Sequence, residues 1–118
     1  MLGDISNCEN IYIACGWTDM RKGIDGLAAI VKEEFGLNPL SSSVFIFCGR
    51  RPNKIKALMW DGDGFCLWYK RLEDGRYQWP RKMQEARNIS KEQLKWLLSG
   101  LKIEQKKTIN KVREVLII

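Results

Sequence analysis

The sequence predicts a single α+β domain over residues 1–118: an antiparallel β-meander sheet packed with an N-terminal-half helix and one or two C-terminal helices. Three observations carry this. Val44-Phe45-Ile46-Phe47-Cys48 is an unbroken β-forming run with bulk on both faces, which suits a central strand. Two apolar-rich runs flank Asp61-Gly62-Asp63-Gly64, a tight-turn signal, because Asp-Gly pairs tolerate positive φ. Helical spacing appears at Met20, Ile24, Leu27 and Val31, and again at Leu94, Leu97 and Leu98. At 118 residues, 45% apolar and 29% charged, the chain can build one core and is too apolar for wholesale disorder.

Ile11 to Ala14 reads as a first strand, ended by Gly16. Thr18 or Asp19 offers an N-cap oxygen for a helix running to about Phe35 and stopped by Gly36 and Pro39. Gly23 and Gly26 inside that helix cost about 1 kcal/mol each relative to Ala, which implies a neighbour in close approach. After the Val44–Cys48 strand comes a basic turn, then a strand over Lys54–Trp60, the Asp-Gly reversal and a strand over Phe65–Leu72. Glu73-Asp74-Gly75 turns again, and Arg76–Trp79 adds a short edge strand stopped by Pro80. Arg81–Asn88 reads as a polar connector. Ser90, with Gln93 three residues on, starts a helix that Gly100 ends. The core spans about residues 11–100, and 101–118 is a basic helix or tail with a stripe at Ile109, Val112 and Leu116.

Charge is segregated. Residues 1–49 carry three basic and six acidic side chains, whereas 50–118 carry seventeen and eight, within a total of +6. An anionic partner facing the second part is the first expectation, with plain solvation as the alternative. The absence of histidine removes Ser-His-Asp and Cys-His catalysis and every histidine-containing metal site. Cys8, Cys15, Cys48 and Cys66 form no Cys-x-x-Cys pair and read as reduced packing residues. No phosphate-cradling glycine loop is present. Asp61 fails as the first position of a calcium loop because Leu72 stands where the twelfth-position Glu belongs. No catalytic residue, metal or cofactor is expected. The longest apolar run is far too short to span a membrane, and Asp4 sits where a signal peptide carries positive charge, so a cytoplasmic protein is expected.

The candidate site is nucleic-acid-binding. Arg50, Arg51, Lys54 and Lys56 crowd one turn and suit a phosphate clamp, and Lys70, Arg71 and Arg76 flank the other end of the meander. Arg21 and Lys22 in a first helical turn oppose the helix dipole, which suggests either an anion held there or pairing with Asp19 or Asp25. Trp68, Tyr69, Tyr77 and Trp79 are candidate stacking rings for unpaired bases, although each ring taken singly reads first as core of a small sheet.

Taken together, Thr18-Asp19-Met20-Arg21-Lys22-Gly23-Ile24-Asp25-Gly26-Leu27, Val44 to Arg51, Lys56 to Leu72, Trp79-Pro80 and Ser90 to Leu98 resemble a known family. It is the TnpB accessory protein of insertion-sequence-66-type bacterial transposable elements, distinct from the larger RNA-guided nuclease of the same name. The resemblance implies a small non-catalytic companion of a separate transposase, which carries the catalytic acids. Cys48 departs from it, standing where the family often has arginine, and the segment after Gly100 carries none of its motifs. Three roles follow. The first is a DNA-binding accessory factor at the element's ends or in the transposition complex. The second is an adaptor that binds the transposase or forms a homodimer. The third, a distant one, is a metal-dependent nuclease using Asp19, Asp25, Asp61, Asp63 and Glu73.

Overall fold

Two consecutive strands of the protein run parallel, and this sets its topology. In the computed structural model, which describes Ile5 and residues 7–105, β1 (Asn10–Ala14) pairs with β2 (Ser43–Cys48) in the same direction. Parallel neighbours need a crossover. It is supplied by α1 (Ile24–Ala29), which continues into a π-helical turn over Ile30–Glu34. β3 (Lys54–Trp60) and β4 (Phe65–Arg71) then follow antiparallel, giving the five-stranded order β4-β3-β2-β1-β5. The expected all-antiparallel meander therefore holds only for β2-β3-β4. The hairpin turns as its Asp-Gly residues dictate, with Gly62 at φ 80° and the Asp61 N–H donating to the Gly64 carbonyl at 2.8 Å.

The fifth strand is not Arg76–Trp79. It is β5 (Ala86–Ile89), which takes up the end of the Arg81–Asn88 segment read as a connector, and it pairs antiparallel with β1 at the opposite edge. Its Arg87 and Asn88 lack strand-like polarity patterning because an edge position leaves them partly in water. Residues 76–80 instead run across the sheet without laddering. The Tyr77 N–H donates to the Pro52 carbonyl at 2.7 Å, and the indole N–H of Trp79 donates to the Ala14 carbonyl at 2.8 Å.

The first helix also starts later than its apolar spacing suggests. Asp19 is not its cap but accepts from the Arg21 backbone N–H, and Gly23 is the uncapped residue before Ile24. No neighbour crowds Gly23, and a Cβ on Gly26 would meet only the Lys22 side chain at 3.2 Å, so the expected close approach is not seen. α2 (Lys91–Leu98) begins as predicted, with Ser90 and Gln93 in a reciprocal capping box. Residues 101–105 are irregular, and the helix expected further along lies outside the described residues.

Both sheet faces are covered. Ile13, Val44, Ile46, Ile55 and Ala57 pack with Tyr77, Trp79, Leu94, Leu97 and Ile103 on the α2 side. Phe45, Phe47 and Leu58 pack with Leu27, Ile30 and Val31 on the α1 side. β2 is buried along its whole length, as a central strand should be.

Candidate nucleic-acid interface

The β2–β3 turn is closed by the Gly49 N–H, which donates to the Lys54 carbonyl at 3.0 Å. A side chain at Gly49 would force Met20 to shift, since its Cβ would lie 2.8 Å from Met20 Cγ and 3.3 Å from the Arg51 carbonyl oxygen. Arg81 fastens the turn to the end of β1. Its guanidinium donates to the carbonyls of Gly16 (2.6 Å), Gly49 (2.9 Å) and Arg50 (3.3 Å). With the backbone held this way, Arg50 and Arg51 stand exposed at the tip.

Strand register decides which other cations join them. Ile55, Ala57 and Met59 enter the core on the α2 side, so alternation turns Lys54 and Lys56 to the α1 side. Arg71 lies directly opposite Lys54, and Tyr69 opposite Lys56. The Lys56 ammonium donates to the Lys22 carbonyl at 2.9 Å, which brings the segment before α1 onto the same surface. Among the described residues, none of Lys22, Arg50, Arg51, Lys54 and Lys56 is in an ion pair with a carboxylate. Trp17, Asp19, Met20, Arg50, Arg51 and Lys54 share the walls of a shallow depression of about 190 Å³.

Other predicted cations are placed elsewhere or neutralised. Arg21 precedes the helix and pairs with Asp19 at 2.7 Å, and its guanidinium holds the Asp19 carboxyl down at about 2. Arg71 pairs with Glu73 at 2.7 Å. Lys70 sits opposite Ile55 and so faces the α2 side. Arg76 lies on that side too, in a groove of about 940 Å³ shared with Lys82, Arg87 and Lys102, where Arg87 is paired with Glu104 at 2.9 Å.

The rings separate in the same way. Tyr77 and Trp79 are core residues, 2% and 6% exposed, and offer no face to a base. Trp68 packs partly buried against the α2-side core. Tyr69 alone of the predicted four stands open, 52% exposed, with the Lys56 ammonium 5.7 Å from its ring centre. The ring that sequence reasoning missed is Trp17. It is 49% exposed, with the Arg50 guanidinium 5.7 Å from its centre. Its signal is a large ring directly after a turn glycine, outside both the strand and the helix periodicities. Arg81 was equally missed, and no local pattern marks it, because its acceptors lie 65, 32 and 31 residues away.

Cys48 is fully buried, and burial pushes its thiol up to about 11 although Arg81 opposes the shift. Position 48 therefore faces the core, so the charge that the resemblance expects there would not extend the outer surface of the turn. Asp61 and Asp63 are exposed turn residues. Among the described residues, no group of three or more Asp, Glu or Cys side chains gathers to hold a metal ion. None of the described helices is long and apolar enough to cross a membrane.

Compared with known families, residues 9–108 match the one described as IS66 Orf2 like protein. The chain belongs to the IS66 Orf2-like family. That family carries an accessory role associated with the transposition of insertion sequences. Two relatives come from Sinorhizobium fredii (strain NBRC 101917 / NGR234), both described as uncharacterized proteins. The protein y4hO is 46% identical over 91 residues, covering 77% of this chain and 79% of the relative. The protein y4jC is 32% identical over 91 residues, covering 77% and 78%. No solved structure matches. The family match takes in the whole Trp17–Lys22 segment, the basic turn and both strands of the hairpin.

Proposed function

We propose that this IS66 Orf2-like protein serves transposition as a non-catalytic factor that grips DNA phosphates. The grip is the surface formed by the Gly49–Asn53 turn, the start of β3 and the segment before α1. One observation supports this best: Arg50, Arg51, Lys54 and Lys56 share one surface, to which the Lys56 ammonium also ties the Lys22 backbone, and none of these four is in an ion pair with a carboxylate among the described residues. Keeping like charges together and unpaired costs electrostatic energy, and an anionic ligand offsets that cost by releasing its own counterions.

The DNA at the element's ends, or in the complex with the separate transposase, is the ligand this role requires. A salt titration of the intact protein on a duplex oligonucleotide tests it. About four neutralised phosphates give a slope of log K against log salt of about −3.6. Absence of binding at low salt to this duplex and to a single strand of the same length would overturn DNA contact and leave protein contact, with the transposase or a second copy, as the accessory role.

A further inference from the structure

From the two half-exposed rings of the basic surface, we infer that its ligand is an unpaired DNA strand, whose bases stack on Trp17 and Tyr69; this rests on the DNA-binding reading above and names its substrate class. Phe45, Phe47, Tyr77 and Trp79 are buried in the core, and Tyr12, Phe35, Phe65 and Trp68 pack partly buried against it. Trp17 and Tyr69 are instead 49% and 52% exposed, and both stand on the surface of the basic turn, beside Arg50, Lys54 and Lys56, none of which is in an ion pair among the described residues.

Their order along that surface fits a strand. Arg50 lies 5.7 Å from the centre of the Trp17 ring, and Trp17, Arg50 and Lys54 line one depression. Lys54 and Lys56 follow on the same face of β3, about 6.8 Å apart by strand geometry. The Lys56 ammonium then lies 5.7 Å from the centre of the Tyr69 ring. The succession is ring, cation, cation, cation, ring. Phosphates of a single strand meet the cations while bases at either end meet the rings, a combination that sequence-tolerant single-strand binders use. A duplex keeps its base faces stacked on one another, so it can use the cations but not the rings.

Trp17→Ala and Tyr69→Ala are measured against an oligothymidylate of about 15 nucleotides and a duplex of equal length, at one low salt concentration. Both side chains are half in solvent, so truncation leaves the core intact. The wild type is expected to prefer the single strand, and each variant to lose at least about fivefold on it with duplex affinity unchanged. Trp17→Phe and Tyr69→Phe, which keep a ring, are expected to recover most of that loss. Single-strand affinity unchanged in both alanine variants, an equal loss on both ligands, or a wild-type preference for duplex overturns the inference while leaving the phosphate grip standing. Binding to neither ligand overturns both.

Discussion

Lys56 and Lys22, 34 positions apart, meet where the Lys56 ammonium donates to the Lys22 carbonyl at 2.9 Å. The bond pins the segment before α1 to β3, and the Tyr69 ring lies on the same ammonium. One cation thus serves the fold through its hydrogen bond and the proposed site through its charge. Lys56→Met keeps the aliphatic stem and removes the charge. The expected result is weaker DNA binding with a salt slope shallower by about 0.9, and a fold retained by circular dichroism. An unchanged slope would remove Lys56 from the phosphate contacts.

Asp19 gives the pH prediction. Side-chain hydrogen bonds from Arg21, then the bond from its backbone N–H, lower the carboxyl from its ordinary 3.8 to about 2. A carboxyl with a depressed folded-state pKa stabilises the native state fully above its unfolded value. That contribution fades as pH falls through the folded one. Whatever the pair adds is therefore constant above about pH 4 and lost between there and pH 2. Carboxyl NMR should find the Asp19 midpoint near 2, and Arg21→Ala should return it toward 3.8. A wild-type midpoint at the ordinary value would contradict the pairing.

Tyr77 and Trp79 are both buried but carry opposite predictions. The Trp79 indole N–H donates to the Ala14 carbonyl at 2.8 Å, so Trp79→Phe is expected to destabilise by about 1–3 kcal/mol in urea unfolding. The Tyr77 hydroxyl is buried with no hydrogen-bond partner among the described residues. Burial, and then Cys48, raise its pKa. Removing that hydroxyl in Tyr77→Phe should leave stability unchanged or raise it by about 1 kcal/mol.

Ser90 caps α2, whose Leu94 and Leu97 close the core on that side. Ser90→Ala leaves the Gln93 N–H without its side-chain acceptor and is expected to cost about 1 kcal/mol. Ser90→Asp, which keeps an acceptor, should restore most of it. Equal stability of the serine and alanine forms would deny the cap its role.

The parts of the fold legible in the sequence are those with a local cause. Five bulky residues in a row place β2 at the centre, Asp-Gly pairs turn the hairpin, and the Ser90–Gln93 spacing starts α2. Strand direction has no such cause. The alternation of β1 is the same whichever way its neighbour runs, so the parallel pair with β2 was not readable. Tyr77 and Trp79 do alternate inward, yet their backbone finds no strand to pair with, whereas Arg87 and Asn88 on β5 look like loop and are edge strand. The site divides likewise. Arg50, Arg51, Lys54 and Lys56 were visible as a cluster because they are neighbours in sequence. That Lys70 turns away, that Arg71 and Arg21 are paired, and that Trp17 joins depend on register and on contacts across the fold.

The central claim is that the β2–β3 turn contacts phosphates, and the most direct measurement compares the wild type with Arg50→Ala/Arg51→Ala in a salt titration on one oligonucleotide. Both side chains are exposed, and Arg81 holds the turn through the Gly49 and Arg50 carbonyls rather than through either arginine side chain, so the double variant should fold. Weaker binding with a slope flattened by about 2 is the predicted result. A double variant that binds with the wild-type slope would contradict it.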